Sequence, residues 1–146
     1  MLGEFLVAFA IVAVCVIIHV TGIVWLGETL ISWKRRRKRP FGTFGYMVLL
    51  IIVFAVTIIL HIGETMVWAG FYFERGLFQD FETSFHFSLT SYTTVGFGDV
   101  VLPRAWRLLG GVESISGVLL CGLSTAFVFA VVNALFQMRV QRGSES

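Results

Sequence analysis

The sequence predicts an all-α membrane protein with three transmembrane helices and a shorter, re-entrant segment between the second and the third. Three observations carry this prediction. The 146 residues have a mean hydropathy of +0.87 and only 14% charged side chains, against about 25% in a soluble domain, so the chain cannot cover itself with a polar surface. Uncharged runs of 23, 24 and 25 residues separate Glu4 from Glu28, Arg39 from Glu64 and Glu113 from Arg139, and about 20 helical residues suffice to cross a bilayer core. A fourth uncharged run, Thr83–Gly98, has 16 residues, several Ser and Thr, and glycines near its end. It is too short and too polar to cross. This composition excludes an ordinary soluble enzyme, a disordered chain and a nucleic-acid binder.

The first span, Phe5–Leu26, lies in an N-terminal unit of residues 1–33. It lacks a basic leader and its apolar run is too long for a signal peptide, so it reads as a retained helix. It contains no Lys or Arg, which leaves an arginine-ladder voltage sensor unsupported. His19 is expected to be a hydrogen-bonded packing residue, and Cys15 a small buried hydrophobe. Two cysteines, both in apolar runs, are too few for a disulfide scaffold.

Residues 34–42 form a basic linker that holds Lys34, Arg35, Arg36, Arg37, Lys38 and Arg39. With Arg139 and Arg142 of the tail, eight of the eleven basic residues fall on one side of the membrane. The positive-inside rule makes that side cytoplasmic. The N-terminus is then outside, the C-terminus inside, and the re-entrant segment opens outward across a plasma (cell inner) membrane. Two readings of the basic run stay open. It sets topology alone, or it also engages anionic lipid, where each charge gains about 1 kcal/mol near the surface.

Irregular backbone survives at membrane depth only where it is buried in protein or lines a watery cavity. The re-entrant run ends in Thr93-Thr94-Val95-Gly96-Phe97-Gly98-Asp99. A dehydrated cation needs a ring of oxygens in place of its water shell, and inward-turned backbone carbonyls supply one. An ordinary strand alternates its carbonyls, so such a run needs residues at positive φ, which glycine adopts cheaply. Gly96 and Gly98 provide these, Val95 and Phe97 turn side chains back into packing, and Thr94 adds a hydroxyl at the inner end.

This string resembles the selectivity filter of potassium channels, and residues 43–138 resemble the two-helix pore module of that ion-channel superfamily, here with one extra N-terminal helix. The resemblance implies an outer helix at Thr43–Phe73, a pore helix and filter at Thr83–Asp99, and an inner helix at Leu108–Met138, followed by a short tail, 139–146. It implies K⁺ as the permeant ion at Thr94, Val95, Gly96 and Phe97, with Gly98 completing the filter, and no other cofactor. One chain carries one filter strand, and carbonyl rings need four, so a homotetramer in membrane lipid is the expected assembly. Phe97 stands where the family usually has Tyr, and the lost hydroxyl implies a less rigid filter.

The pore helix is expected from Phe81 to Thr93, with Asp80 as N-cap and Glu82 suited to the positive helix end. Thr93, Asp99, His86 and Phe87 are expected to support the filter. His86 stands where many relatives carry Trp, and either contacts Asp99 or simply packs near the outer interface. Phe85 and Phe87 are expected to brace the filter from outside. Thr90 stands where some relatives carry a Glu paired with the Asp after the filter, so that carboxyl pair is missing. In the inner helix, Gly117 and Gly122 are hinge candidates, Val118, Cys121 and Thr125 cavity candidates, and Phe129 and Val132 candidates for an apolar gate. Gly122, Ala126, Ala130 and Ala134 form a small-residue face suited to close helix packing. Glu113, near the start of this helix, either reaches water or braces the back of the pore helix.

No nucleotide loop, catalytic constellation or metal-ligand set is legible, so the chain reads as a passive potassium channel and not an enzyme. The alternatives are a weakly selective cation channel of the same fold and a non-conducting channel subunit.

Overall fold

The computed structural model describes residues 2–36 and 42–143. Among the described residues there are four α-helices: α1 (Leu2–Arg36), α2 (Thr43–Glu74), α3 (Phe81–Tyr92) and α4 (Arg107–Gly143). A 3₁₀ turn, Arg104–Trp106, leads into α4, and no strand occurs among the described residues. α1, α2 and the turn with α4 carry apolar spans of membrane length, Gly3–Trp33, Phe44–Glu74 and Arg104–Met138. The short α3 is wedged between α2 and α4, while α1 lies against both of the long helices.

The helices run past the charges that bound the apolar runs in sequence. Glu64 and Glu113 sit inside the second and third spans and are fully buried. A carboxylate can lie there only when hydrogen bonds offset its desolvation, and both have such partners, described below. α1 continues through Arg36, so the basic linker starts within helix, and α4 continues to Gly143, so much of the expected tail is helical. Arg35 and Arg36 are exposed at the end of α1, and Lys34 lies in its last turn. Arg37, Lys38 and Arg39 lie outside the described residues.

The core joins one stripe of α1 (Ala8, Ile11, Cys15) to Trp68 and Tyr72 of α2, Phe87 and Tyr92 of α3, and Leu109 and Leu120 of α4. Tyr72 is its hub, with edge-on ring contacts to Phe78 and Phe87 at 6.2 and 5.4 Å, a favoured aromatic geometry. Large apolar side chains such as Leu6, Phe9, Ile17, Ile51, Ile59 and Leu119 face outward. A surface of that kind suits lipid tails and not water.

Local sequence explains the turn that delivers α3. α2 stops at Gly76, which takes φ +63°. The Gly76 amide donates to Phe73 O and the Leu77 amide to Tyr72 O, the paired bonds by which a left-handed glycine closes a helix. Four residues later Asp80 opens α3. Its carboxylate accepts from the Thr83 amide at 2.7 Å and the Thr83 hydroxyl at 2.9 Å. Those donors hold the exposed Asp80 carboxyl below its ordinary pKa.

Candidate functional site

The site is built around the C-terminal end of α3. α3 ends at Tyr92, with Thr93 as its cap. The Thr93 hydroxyl donates to Leu89 O at 2.7 Å, and the Thr94 and Gly96 amides donate back to Ser91 O and Thr90 O. Hydrogen bonds from the surrounding helices fix this end in place. The Ser114 hydroxyl of α4 donates to Ser91 O at 2.6 Å. The Ser88 hydroxyl bonds both Thr65 O of α2 and the Glu113 carboxylate of α4. Glu113 accepts a second bond, at 2.8 Å, from the Tyr72 hydroxyl. Glu113 therefore braces the back of α3 and does not reach water.

Gly117 belongs to the same clamp. A Cβ at this position would stand 2.1 Å from the Tyr92 carbonyl oxygen. Its missing side chain is required by the crossing of α4 under the end of α3, and α4 runs through it as one continuous helix. At Gly122 a Cβ would meet nothing within 4 Å.

Beyond the cap the backbone alternates. Thr94, Gly96 and Gly98 take φ of +62°, +48° and +78°, while Val95 and Phe97 do not enter that region. Alternating left- and right-handed residues turn successive carbonyls to the same side, unlike a strand. Two of these positions are the expected glycines. The third, Thr94, is β-branched, for which positive φ is a genuine outlier. A residue held this way costs about 1–3 kcal/mol and persists only where its surroundings over-determine it.

Two expectations about packing need correction. Phe87 does not brace the filter segment; it is buried behind α3 against Tyr72, Phe78 and the backbone at Gly110. Phe85 stacks on Phe81. Phe87 faces this way because the wedge position of α3 turns its side of the helix to α2 and α4. Val95 and Phe97 are 54% and 71% exposed within one chain, so the chain by itself does not supply the packing expected behind them.

His86 Nε2 and Asp99 Oδ2 stand 3.2 Å apart. The His86 ring also stacks on Phe97, with centroids 6.3 Å apart and planes 13° from parallel. Desolvation pulls the Asp99 carboxyl upward, but the amides of Asp99 and Val100 and the His86 ring outweigh it and hold it below the ordinary value. On α4, Val118, Cys121, Gly122, Thr125 and Phe129 share an exposed face, while Val132 is half-buried.

The structure also assembles a buried polar cluster just behind the base of this segment. His19 of α1 and Glu64 of α2 meet with Nδ1 and Oε1 2.6 Å apart. His61 Nδ1 lies 3.2 Å from Glu64 Oε2 and 2.8 Å from the Tyr92 hydroxyl, which itself donates to Glu64. Ser124 Oγ of α4 faces both outer ring nitrogens, 3.1 Å from His19 Nε2 and 3.0 Å from His61 Nε2. His19 is thus a fully hydrogen-bonded packing residue. Its partners His61, Glu64, Tyr92 and Ser124 are not singled out by spacing in the sequence. The available signal was Glu64, a carboxylate after which the apolar run resumes through Phe73.

Residues 41–134 match the family model described as ion channel. No curated protein and no solved structure matches the chain.

Proposed function

The chain belongs to the ion channel family, and we propose that four copies of it form a passive, potassium-selective channel in the plasma membrane. The observation that carries this reading is the alternation of positive φ at Thr94, Gly96 and Gly98, directly after a helix end clamped by α2 and α4. Four such segments around one axis give stacked rings of carbonyl oxygens from Thr94, Val95, Gly96 and Phe97, with Gly98 at the outer end. These rings replace the hydration shell of K⁺, and several adjacent sites let one ion displace the next.

The other parts take roles consistent with this reading. The C-terminal end of α3 carries partial negative charge, and it lowers the cost of a cation at the inner mouth. The exposed face of α4 lines the cavity with Val118, Cys121 and Thr125, and Phe129 with Val132 narrows it lower down, where an apolar constriction gates by dewetting. His86, through Asp99 and Phe97, steadies the outer end. The basic run from Lys34 to Arg39 faces the cytoplasmic leaflet, beside anionic headgroups.

Liposomes test this proposal. Vesicles holding the purified chain, loaded with K⁺ and diluted into Na⁺, are expected to develop an inside-negative potential, read with a voltage-sensitive dye. Gly96→Ala forces a side chain onto a φ of +48° and is expected to abolish it. An inside-negative signal of equal size with Na⁺ loaded and K⁺ outside, or a signal that survives Gly96→Ala, overturns the assignment.

A further inference from the structure

From the buried cluster behind Tyr92 we infer that the chain binds one divalent transition-metal ion of the Zn²⁺ class per subunit, through His19, His61 and Glu64. The ligand atoms of these three residues lie within 4.8 Å of one another. They come from two helices, α1 and α2. His19 and Glu64 are fully buried, and the His61 side chain is 19% exposed, which leaves an entry path.

The closeness of three ligand atoms carries the inference, and the orientation of the rings fits it. Both Nδ1 atoms turn toward the Glu64 carboxylate, and both Nε2 atoms turn toward the one Ser124 hydroxyl. A serine hydroxyl has one hydrogen and two lone pairs. With hydrogens on both Nδ1 atoms, donated to Glu64 and Tyr92, the two bare Nε2 atoms compete for a single Ser124 hydrogen. A metal on both Nδ1 atoms reverses the tautomers. Both Nε2 atoms then carry hydrogens, and Ser124 Oγ accepts both. A metal-bound histidine commonly donates its other ring N–H to a fixed acceptor in this way. From two neutral rings the exchange is balanced: each loses its Nδ1 proton and gains one at Nε2.

The donor set selects the ion. Two imidazoles and a carboxylate, with the Tyr92 hydroxyl beside them as a fourth oxygen, suit a four-coordinate Zn²⁺-type ion. Mg²⁺ and Ca²⁺ prefer all-oxygen shells. The Cys15 thiol is not a ligand; it rests against the Glu64 backbone carbonyl at 3.9 Å. A bound ion fastens α1 to the helix that backs the filter segment, and touches that segment through Tyr92.

Co²⁺ is the probe, because its visible absorption reports coordination number. The purified full chain is titrated with Co²⁺ in detergent, then with Zn²⁺ as competitor. The chain has three histidines, so His86→Asn removes the only other one. We expect one Co²⁺ per chain with an intense four-coordinate spectrum, displaced by Zn²⁺ and retained in His86→Asn. His19→Gln and His61→Gln are expected to weaken binding by more than about 100-fold, and Ser124→Ala by about 10–100-fold. Ser124→Ala keeps every proposed ligand, so it tests the site even where a histidine variant fails to fold. No uptake by the folded wild-type chain, uptake lost in His86→Asn, or affinity unchanged in Ser124→Ala overturns the inference.

Discussion

At Gly117, one hydrogen in place of a methyl group decides whether α4 can cross the end of α3. A Cβ there would stand 2.1 Å from a backbone oxygen, which cannot swing away as a side chain does. Gly117→Ala is therefore expected to lower stability by about 1–3 kcal/mol through overpacking, read as a shift of the denaturation midpoint in detergent. Gly63→Ala is the contrast. Its Cβ would meet nothing within 4 Å, so the change is expected to be neutral or to gain up to about 1 kcal/mol from helix propensity. Thr94 is the opposite case, a side chain where glycine is cheaper. Thr94→Gly relieves about 1–2 kcal/mol of left-handed strain and removes a hydroxyl at the inner end of the segment. A more stable protein with weaker K⁺ preference is the expected outcome, checked by denaturation and ion competition on one preparation.

Asp99 supplies a pH dependence whose sign follows from its shift. Its folded pKa lies below the ordinary 3.8, so the native state favours its charged form. The stability this contributes is complete above the unfolded value and is lost as the pH falls through the lower folded one. Conduction is expected to be insensitive to Asp99 from neutral pH down to about 4, with an acid-induced loss below that which Asp99→Asn removes. An acid loss unchanged in Asp99→Asn assigns it to another group.

Among the elements, α3 was the most legible in sequence. Asp80 as its cap, Phe81 as its first residue and an end within one residue of Thr93 all follow from local chemistry, and the structure has them. The glycines at positive φ were legible for the same reason. Both ends of α2 and the start of α4 fall within one residue of the bounds that the resemblance implies, whereas α1 and the C-terminal end of α4 run several residues past the charges that bound their apolar runs. Glu64 and Glu113 lie within spans, and the partners that make this tolerable are remote in sequence. His19 is 45 residues from Glu64, and Tyr72 is 41 from Glu113. A local pattern cannot register such pairings, nor the turn of α3 that sends Phe87 into the core. The brace itself is testable. Tyr72→Phe removes one bond to Glu113 and is expected to cost about 0.5–1.5 kcal/mol. Glu113→Ala leaves the buried Tyr72 hydroxyl without its acceptor, cuts the link from Ser88 to α4 and opens a cavity, and is expected to cost more. Equal costs for the two would mean that Glu113 does not hold α3.

For the whole molecule, one chain leaves several surfaces uncovered. Residues 93–99 are exposed, with Phe97 covered only by the stacked His86 ring, and the face of α4 with Gly122, Ala126 and Ala130 is open. In the proposed ring of four copies these surfaces would be covered in one step, since rotational symmetry gives every subunit the same two contacts. Native mass spectrometry from mild detergent is expected to show four chains. A dominant monomer or dimer would contradict the ring. The most direct measurement uses the purified chain in an otherwise inert planar bilayer, with opposing K⁺ and Na⁺ gradients, and reads the reversal potential. A value near the K⁺ equilibrium potential is expected, with the current lost in Gly96→Ala. A reversal near zero with current present would contradict this and make the pore a non-selective one.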